Sequence, residues 1–266
     1  MAFTVVCSSC IPTFATSNNA DVVVTTSYNP FANTNNNNSR SIIGTDNRNL
    51  INNTDDYPYS AISYLEILYQ CGCSTEGTGF MISENCMLTA GHCLICPTHE
   101  EDAHSVTAYF GFSSWNNILL TVTATSSNSV IYHDPNFTGS EKNYDYGYVV
   151  FNTNIGNTTG WFGLAAINDS SLDELPIHVT GYIDTAMYDC AGKITSVATN
   201  RIKYDADTEP GESGAPVYLN EATHGHVVVA IHTNGTDLFN WKNSGWRITS
   251  TFIDRLADLG YVTKVS

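Results

Sequence analysis

The stretch AISYLEILY at 61–69 is rich in the aromatic, β-branched and aliphatic residues that favour extended backbone. Nine more stretches of this kind follow it, separated by turn residues, and each predicts a short strand. They are 79–82, 106–112, 118–125, 130–133, 146–151, 178–183, 194–204, 215–219 and 226–233. No helical segment separates these strands, which indicates a sandwich or barrels rather than a parallel sheet.

Only the C-terminal end of the chain has the pattern of a helix. Phe252, Ile253, Leu256 and Leu259 fall on one helical face, and Gly260 can end the helix. We therefore predict an all-β fold with one terminal helix at about 251–260.

The charge of the chain excludes several kinds of partner. Lys and Arg total 10 against 26 Asp and Glu, which gives a formal net charge of −16. Such a surface repels phosphate backbones and anionic lipids, so we expect neither nucleic-acid nor membrane partners. Residues 1–15 are mildly apolar but lack the basic start of a signal peptide. Either the true start lies upstream or export uses another route.

Residues 1–40 differ in composition from the rest of the chain. The Asn-rich run at 33–38 has no apolar face to bury and predicts a flexible tether. Arg40 follows this run, and a basic residue in a solvated tether is accessible to a processing protease. We predict that residues 1–40 are a propeptide removed by an activating protease at Arg40–Ser41, leaving a domain at 41–266. The alternative is a disordered N-terminal tail.

Five of the eight cysteines lie within 26 residues of one another, and they permit two interpretations. The eight are Cys7, Cys10, Cys71, Cys73, Cys86, Cys93, Cys96 and Cys190. One interpretation is a set of disulfides in an exported enzyme. The other is a zinc site built from Cys71-x-Cys73 and Cys93-x-x-Cys96. The position of Cys93 beside His92 favours disulfides, so no metal and no cofactor are expected.

The motif GESGAP at 211–216 has the residues of a nucleophile turn. Ser213 lies between two glycines, and such a turn lets the backbone approach a substrate closely. Acyl transfer needs a hydroxyl nucleophile and backbone N–H donors directed at the developing oxyanion, and this turn can provide both. The alternative is an ordinary Gly-Ser-Gly turn between strands.

Two further segments provide the partners that such a serine needs. His92 in LTAGHC, at 88–93, has the side chain best suited to act as a base near neutral pH. Asp145 begins the apolar strand of NYDYGYVVF, at 143–151, and a buried carboxylate there needs a partner. Other histidines and aspartates have more ordinary surroundings: His99, His104, His133, His178, His224, His226, Asp134, Asp184 and Asp205.

The order His92, Asp145, Ser213, with these flanking residues, resembles the trypsin-like serine peptidase family. Further motifs resemble the bacterial glutamyl endopeptidase branch, which cleaves after glutamate. These motifs are SIIGTDNR at 41–48, NNT at 52–54, YPY at 57–59, NYDYG at 143–147, GNTTGWFG at 156–163 and IHTNG at 231–235. The likeness covers about 41–255. Extra residues at 71–76 depart from the branch, and so does the absence of a cysteine before GESGAP.

The resemblance implies a fold and a site. The fold is two packed six-stranded antiparallel β-barrels, at about 57–150 and about 160–250, with the terminal helix. His92, Asp145 and Ser213 form the catalytic triad, and the N–H groups of Gly211 and Ser213 form the oxyanion hole. The pocket for the P1 side chain comprises His232, Thr208, Thr233 and Gly235, with the amine of Ser41 nearby after processing. The implied disulfides are Cys73–Cys93, which braces the base, and Cys86–Cys96, with Cys71 and Cys190 left unassigned.

The expected protein is a secreted, monomeric serine endopeptidase that acts on polypeptides and prefers Glu, then Asp, at P1. Imidazole and hydroxyl donors can bind such a carboxylate without a fixed Arg or Lys. Two alternatives remain. One is a trypsin-like protease with another P1 preference. The other is a catalytically silent, protease-like binding protein with a cysteine-based zinc site.

Overall fold

A computed structural model of the chain describes residues 22–31, 48–234 and 242–265. The Asn-rich run, the predicted cleavage site at Arg40–Ser41, and Gly235 lie outside the described residues, as do Cys7 and Cys10. Within the described residues, no helix has the length and apolar character needed to cross a membrane.

Strands dominate the described part of the chain. In chain order they are β1 (Val23–Val24), β2 (Arg48–Leu50), β3 (Ile62–Tyr69), β4 (Ser74–Met81), β5 (Cys86–Thr89), β6 (Ala103–Phe110), β7 (Leu120–Thr125), β8 (Val130–His133), β9 (Gly147–Val150), β10 (Gly163–Ala166), β11 (Pro176–Ile183), β12 (Ala186–Val197), β13 (Arg201–Tyr204), β14 (Pro216–Glu221), β15 (Gly225–Asn234) and β16 (Asn243–Arg247). The helices are α1 (Gly156–Thr159), α2 (Asp169–Leu172) and α3 (Ser250–Asp258).

The N-terminal half is one antiparallel sheet of seven strands, in the spatial order β7-β6-β3-β4-β5-β9-β8. It curls into a half-barrel. Its core contains large apolar side chains with no exposure, among them Leu65, Phe80, Met87 and Phe110. Burial of these side chains is the main force that stabilises this half.

The C-terminal half closes into a barrel of six antiparallel strands. The order is β15-β14-β11-β12-β13-β16, and β16 pairs back onto β15. Closure leaves no free strand edge within this ring. Three strands extend the sheet outside the ring: β10 runs parallel to β15, β1 pairs with β10, and β2 pairs with β12.

The predicted all-β, trypsin-like fold and its terminal helix are confirmed, with three differences in detail. The N-terminal half is a curled sheet rather than a closed six-stranded barrel, and β10 lies outside the C-terminal ring. The single strand expected at 194–204 is two strands, because the chain turns at 198–200, where the Ala198 N–H donates to the Arg201 carbonyl.

Part of the predicted propeptide packs on the domain. Residues 22–31 include β1, and the backbone of Thr25 bonds to Leu164 at 2.9 Å. The Thr25 hydroxyl also accepts from the Leu164 N–H at 2.8 Å, and both Val24 and Thr25 are buried. Residues 22–31 are therefore held on the domain by backbone pairing and apolar burial, unlike the disordered N-terminal tail given as the alternative, whereas the tether predicted at 33–38 lies outside the described residues. Removal of a propeptide after Arg40 stays a prediction.

Candidate active site

His92 and Asp145 are brought together by two paired strands. His92 lies in a 3₁₀ turn, Gly91–Cys93, that follows β5 after one intervening residue, and Asp145 lies two residues before β9. Because β5 and β9 pair antiparallel, the end of one strand meets the start of the other. A Cβ atom at Gly91 would lie 2.9 Å from the Tyr146 backbone nitrogen. Only glycine permits this close approach of the two segments.

The carboxylate of Asp145 holds His92 through two groups. Asp145 Oδ2 lies 2.9 Å from His92 Nδ1, and Oδ1 accepts the His92 backbone N–H at 2.9 Å. Asp145 is buried, whereas about a third of the His92 side chain is exposed, at 33%. Burial lowers the pKa of His92, but the neighbouring Cys93 and the Asp145 carboxylate outweigh it, so this pKa is raised well above its ordinary value. The arrangement orients the ring and stabilises its charged form.

The Ser213 turn is held against the N-terminal half by one buried threonine. The Thr78 backbone N–H donates to the Ser213 carbonyl at 2.8 Å, and the Thr78 hydroxyl donates to the Gly211 carbonyl at 3.0 Å. The same hydroxyl accepts the Tyr182 N–H at 3.0 Å. Gly211 has a φ of +105°, and a Cβ there would lie 2.6 Å from the Tyr182 carbonyl oxygen. The turn therefore requires glycine at 211.

Two backbone donors of this turn are available to a ligand. The N–H groups of Gly211 and Ser213 have no hydrogen-bond partner among the described residues. A polar cleft of about 650 Å³, lined mainly by residues of β3, β4 and β6, reaches the turn at Pro210 and Gly211, but its lining does not include His92, Ser213 or His232. The described residues contain no hydrogen bond between the Ser213 hydroxyl and His92. Contacts of this kind often tighten only when a substrate binds.

His232 lies behind the Ser213 turn, on β15. The Gly214 N–H donates to the His232 carbonyl at 2.8 Å, which couples the turn to that strand. His232 is buried, and its Nδ1 lies 2.5 Å from the Tyr204 hydroxyl oxygen. Burial, reinforced by the charge of His92, lowers the pKa of His232 to about 3. The imidazole is therefore neutral at neutral pH.

The other predicted pocket residues have different surroundings. The Thr208 hydroxyl is buried and has no hydrogen-bond partner among the described atoms. Thr233 is buried, and its hydroxyl accepts from Arg201 Nη2 at 3.3 Å. An unpartnered buried hydroxyl is costly unless a ligand satisfies it. The remaining predicted contributors, Gly235 and Ser41, lie outside the described residues.

The predicted disulfides are not formed. All six described cysteines are free. The sulfur of Cys93 lies 3.8 Å from the Ser213 carbonyl oxygen, whereas that of Cys73 lies 3.8 Å from His99 Nδ1. Cys86 is fully buried in the core. The pairings Cys73–Cys93 and Cys86–Cys96 are therefore absent from this structure, because Cys73 and Cys96 both lie near His99, whereas Cys93 lies beside the Ser213 carbonyl and Cys86 in the core.

Three residues of the site were missed from the sequence. Thr78 supports the Ser213 turn, Tyr204 contacts the ring of His232, and Arg201 brings a cation to Thr233. A signal existed only for Thr78, whose flanking residues Gly77 and Gly79 permit close approach of other chain segments. Tyr204 and Arg201 lie on an ordinary strand, and only the closure of the barrel brings them to the site.

Comparisons with known proteins agree with this geometry. A family model described as a trypsin-like peptidase domain matches residues 77–231. An "Extracellular metalloprotease" of Bacillus subtilis is 36% identical over 81% of this chain and 68% of its own length. A "Glutamyl endopeptidase" of Bacillus licheniformis is 31% identical over 82% of this chain and 69% of its own length. A solved structure of a Glu endopeptidase in complex with MPD superposes with a TM-score of 0.63 and 25% identity, covering 82% of this chain and 98% of that one.

Proposed function

This chain belongs to the trypsin-like peptidase family, and on that basis we propose that it is an extracellular serine endopeptidase. The observation that carries the proposal is the pairing of His92 with the buried Asp145, together with a Ser213 turn that has two N–H groups without a partner among the described residues. The name of the Bacillus subtilis relative supports an extracellular location. We propose a monomer that acts on polypeptides after an activating protease cleaves Arg40–Ser41.

The proposed mechanism is acyl transfer. His92 accepts the proton of the Ser213 hydroxyl as the oxygen attacks the peptide carbonyl. The carboxylate of Asp145 stabilises the imidazolium that results. The N–H groups of Gly211 and Ser213 bind the developing oxyanion, a contribution that commonly exceeds any other single term. His92 then protonates the leaving amine, and water releases the acyl-enzyme.

We propose a preference for Glu, then Asp, at P1. If the Tyr204 hydroxyl donates to His232 Nδ1, then Nε2 of the neutral ring carries the proton and can donate to a carboxylate. The unpartnered Thr208 hydroxyl provides a second donor. The name of the Bacillus licheniformis relative, a glutamyl endopeptidase, supports a preference for Glu. Arg201, bonded to Thr233, adds positive potential to this side of the barrel.

The competing functions make distinct predictions. The Bacillus subtilis relative carries the name of a metalloprotease, so the class of inhibitor that acts on the chain distinguishes a serine protease from a metal-dependent one. An organofluorophosphate reacts only with an activated serine and should label Ser213. A silent binding protein would be labelled by no such reagent. A metal-dependent hydrolase would lose activity with a chelator while remaining folded and unlabelled.

The first test is a peptide library with every residue at P1, incubated with the chain before and after cleavage at Arg40–Ser41. We expect cleavage after Glu, and its loss in Ser213→Ala. The matched pocket variant is His232→Val, which should lose carboxylate preference while the fold and the fluorophosphate labelling persist.

Each other result contradicts a specific part of the proposal. Cleavage after other residues would retain the triad but remove the roles given to His232 and Thr208. Absence of cleavage and of labelling in folded, processed protein would overturn the enzymatic function.

A further inference from the structure

A group of four side chains outside the candidate active site has the composition of a metal site. The sulfurs of Cys71, Cys73 and Cys96 and a ring nitrogen of His99 all lie within 4.8 Å of one another. His99 Nδ1 lies 3.5 Å from the Cys96 sulfur and 3.8 Å from the Cys73 sulfur. Cys96 is buried, Cys71 is half-buried, and Cys73 and His99 are exposed.

We propose that these four residues bind a structural zinc ion. Three thiolates and one imidazole are a common zinc donor set. With zinc–sulfur bonds of about 2.3 Å and zinc–nitrogen bonds of about 2.0 Å, the edges of a tetrahedron are roughly 3.5 to 3.8 Å long. The measured separations of His99 from the two sulfurs have this length. The donors therefore need little movement to enclose an ion.

Two loops are already folded in the form that brings the four ligands together. The turn between β3 and β4 carries Cys71 and Cys73, and it is closed by a bond from the Tyr69 N–H to the Cys73 carbonyl at 2.9 Å. The loop after the His92 turn carries Cys96 and His99. It is closed by the bond between the Cys96 N–H and the Glu101 carbonyl, at 2.8 Å. A preformed ligand set loses less conformational entropy when the ion binds.

The ligand count indicates a structural role. Four protein ligands complete a tetrahedron, whereas catalytic zinc keeps a position open for water or substrate. Cys93 takes no part, because its sulfur points toward the Ser213 carbonyl. The site instead connects the β3–β4 turn to the segment that begins at His92. Cys96 follows His92 by four residues, and the Tyr69 hydroxyl donates to the Cys93 carbonyl at 3.1 Å.

Zinc content measures the proposal directly. The full chain with Ser213→Ala, which prevents self-digestion, is purified under reducing conditions without chelators and analysed by elemental mass spectrometry. We expect one zinc ion per chain. Cys73→Ser and His99→Ala should each lose the zinc. The matched controls are Cys190→Ser and His104→Ala, which alter a buried cysteine and an exposed histidine elsewhere and should retain it.

Two further measurements guard against variants that fail to fold. The zinc-free Ser213→Ala chain is titrated with Co²⁺, and we expect the intense visible absorption of tetrahedral thiolate coordination. Chelation should also lower the melting temperature of the Ser213→Ala chain, and added zinc should restore it, since binding to the folded state alone stabilises that state.

Three results would overturn the proposal. The first is folded chain that contains no zinc and shows no thiolate absorption with Co²⁺. The second is a disulfide between any two of Cys71, Cys73 and Cys96 that survives purification under reducing conditions. The third is zinc that persists in both Cys73→Ser and His99→Ala, which would place the ion elsewhere.

Discussion

Replacing Glu212 with Gln should remove a pH-dependent loss of stability that originates beside the proposed nucleophile. Glu212 is fully buried, and its Oε1 has no hydrogen-bond partner among the described atoms. Its Oε2 accepts the Glu209 N–H at 2.8 Å. Burial raises the pKa of the Glu212 carboxyl from 4.5 to about 7. The folded chain thus retains this proton at pH values where the unfolded chain has released it.

The sign and size of the effect follow from that difference. The stabilising contribution of protonated Glu212 is fully present below about pH 4.5 and is lost as the pH rises through about 7. Since each tenfold change in proton affinity is worth about 1.4 kcal/mol, the complete loss amounts to about 3 kcal/mol. Between about pH 5 and about pH 8.5 the loss is about 2.5 kcal/mol. Gln cannot ionise, so the variant should lack this component.

Urea unfolding followed by fluorescence measures the difference. Both proteins carry Ser213→Ala, and the free energy of unfolding is determined at about pH 5 and about pH 8.5. For each protein we take the change in the free energy of unfolding between the two pH values. Subtracting the change of the variant from that of its parent cancels the contributions of the other titrating groups. The matched control is Glu84→Gln, which replaces an exposed carboxylate. Glu84 accepts a hydrogen bond from Asn154, and the side-chain oxygen of Gln can accept the same bond. We expect this control to follow the Ser213→Ala protein at both pH values.

One outcome would refute the reasoning about Glu212. If Glu212→Gln and its parent change by the same free energy between the two pH values, the carboxyl has an ordinary pKa in the folded chain. A larger loss of stability at high pH in the variant than in its parent would have the wrong sign and would also refute it.

Three further predictions concern the candidate site. Thr78→Val should lower kcat by at least tenfold with little change in KM, and lower the free energy of unfolding by about 1 to 3 kcal/mol, because two hydrogen bonds of its hydroxyl are lost. The exposed Thr123→Val serves as its control in the same kinetic and urea assays. Tyr204→Phe should reduce the preference for Glu over Gln at P1 about tenfold, measured as a ratio of kcat/KM values, since the His232 ring loses its partner. If this ratio is unchanged, Tyr204 has no role in the P1 preference. Asp145→Asn should lower kcat about 10⁴-fold. Because the Asp145 carboxylate raises the pKa of His92, the acid limb of the variant's kcat/KM profile should move to lower pH. A shift to higher pH would contradict the pairing of Asp145 with His92.

The amino-acid sequence by itself determined the class of fold and the family. Strand composition and the absence of helical spacers predicted an all-β chain, and the residues around His92, Asp145 and Ser213 indicated the trypsin-like family. These features are local: backbone preference and turn chemistry depend on neighbouring residues, so they can be predicted without knowing what lies across the fold.

Only the tertiary structure decided which distant side chains meet. The sequence permitted Cys73 to pair with Cys93, yet the fold brings the β3–β4 turn with Cys73 to His99 and leaves Cys93 beside the Ser213 carbonyl. The contact of Tyr204 with His232 likewise depends on the closure of β13, β16 and β15 into one barrel. Such contacts are set by strand register and by separations of a few ångströms. A shift of one residue in register turns a side chain to the opposite face, and no local pattern in the sequence specifies that shift.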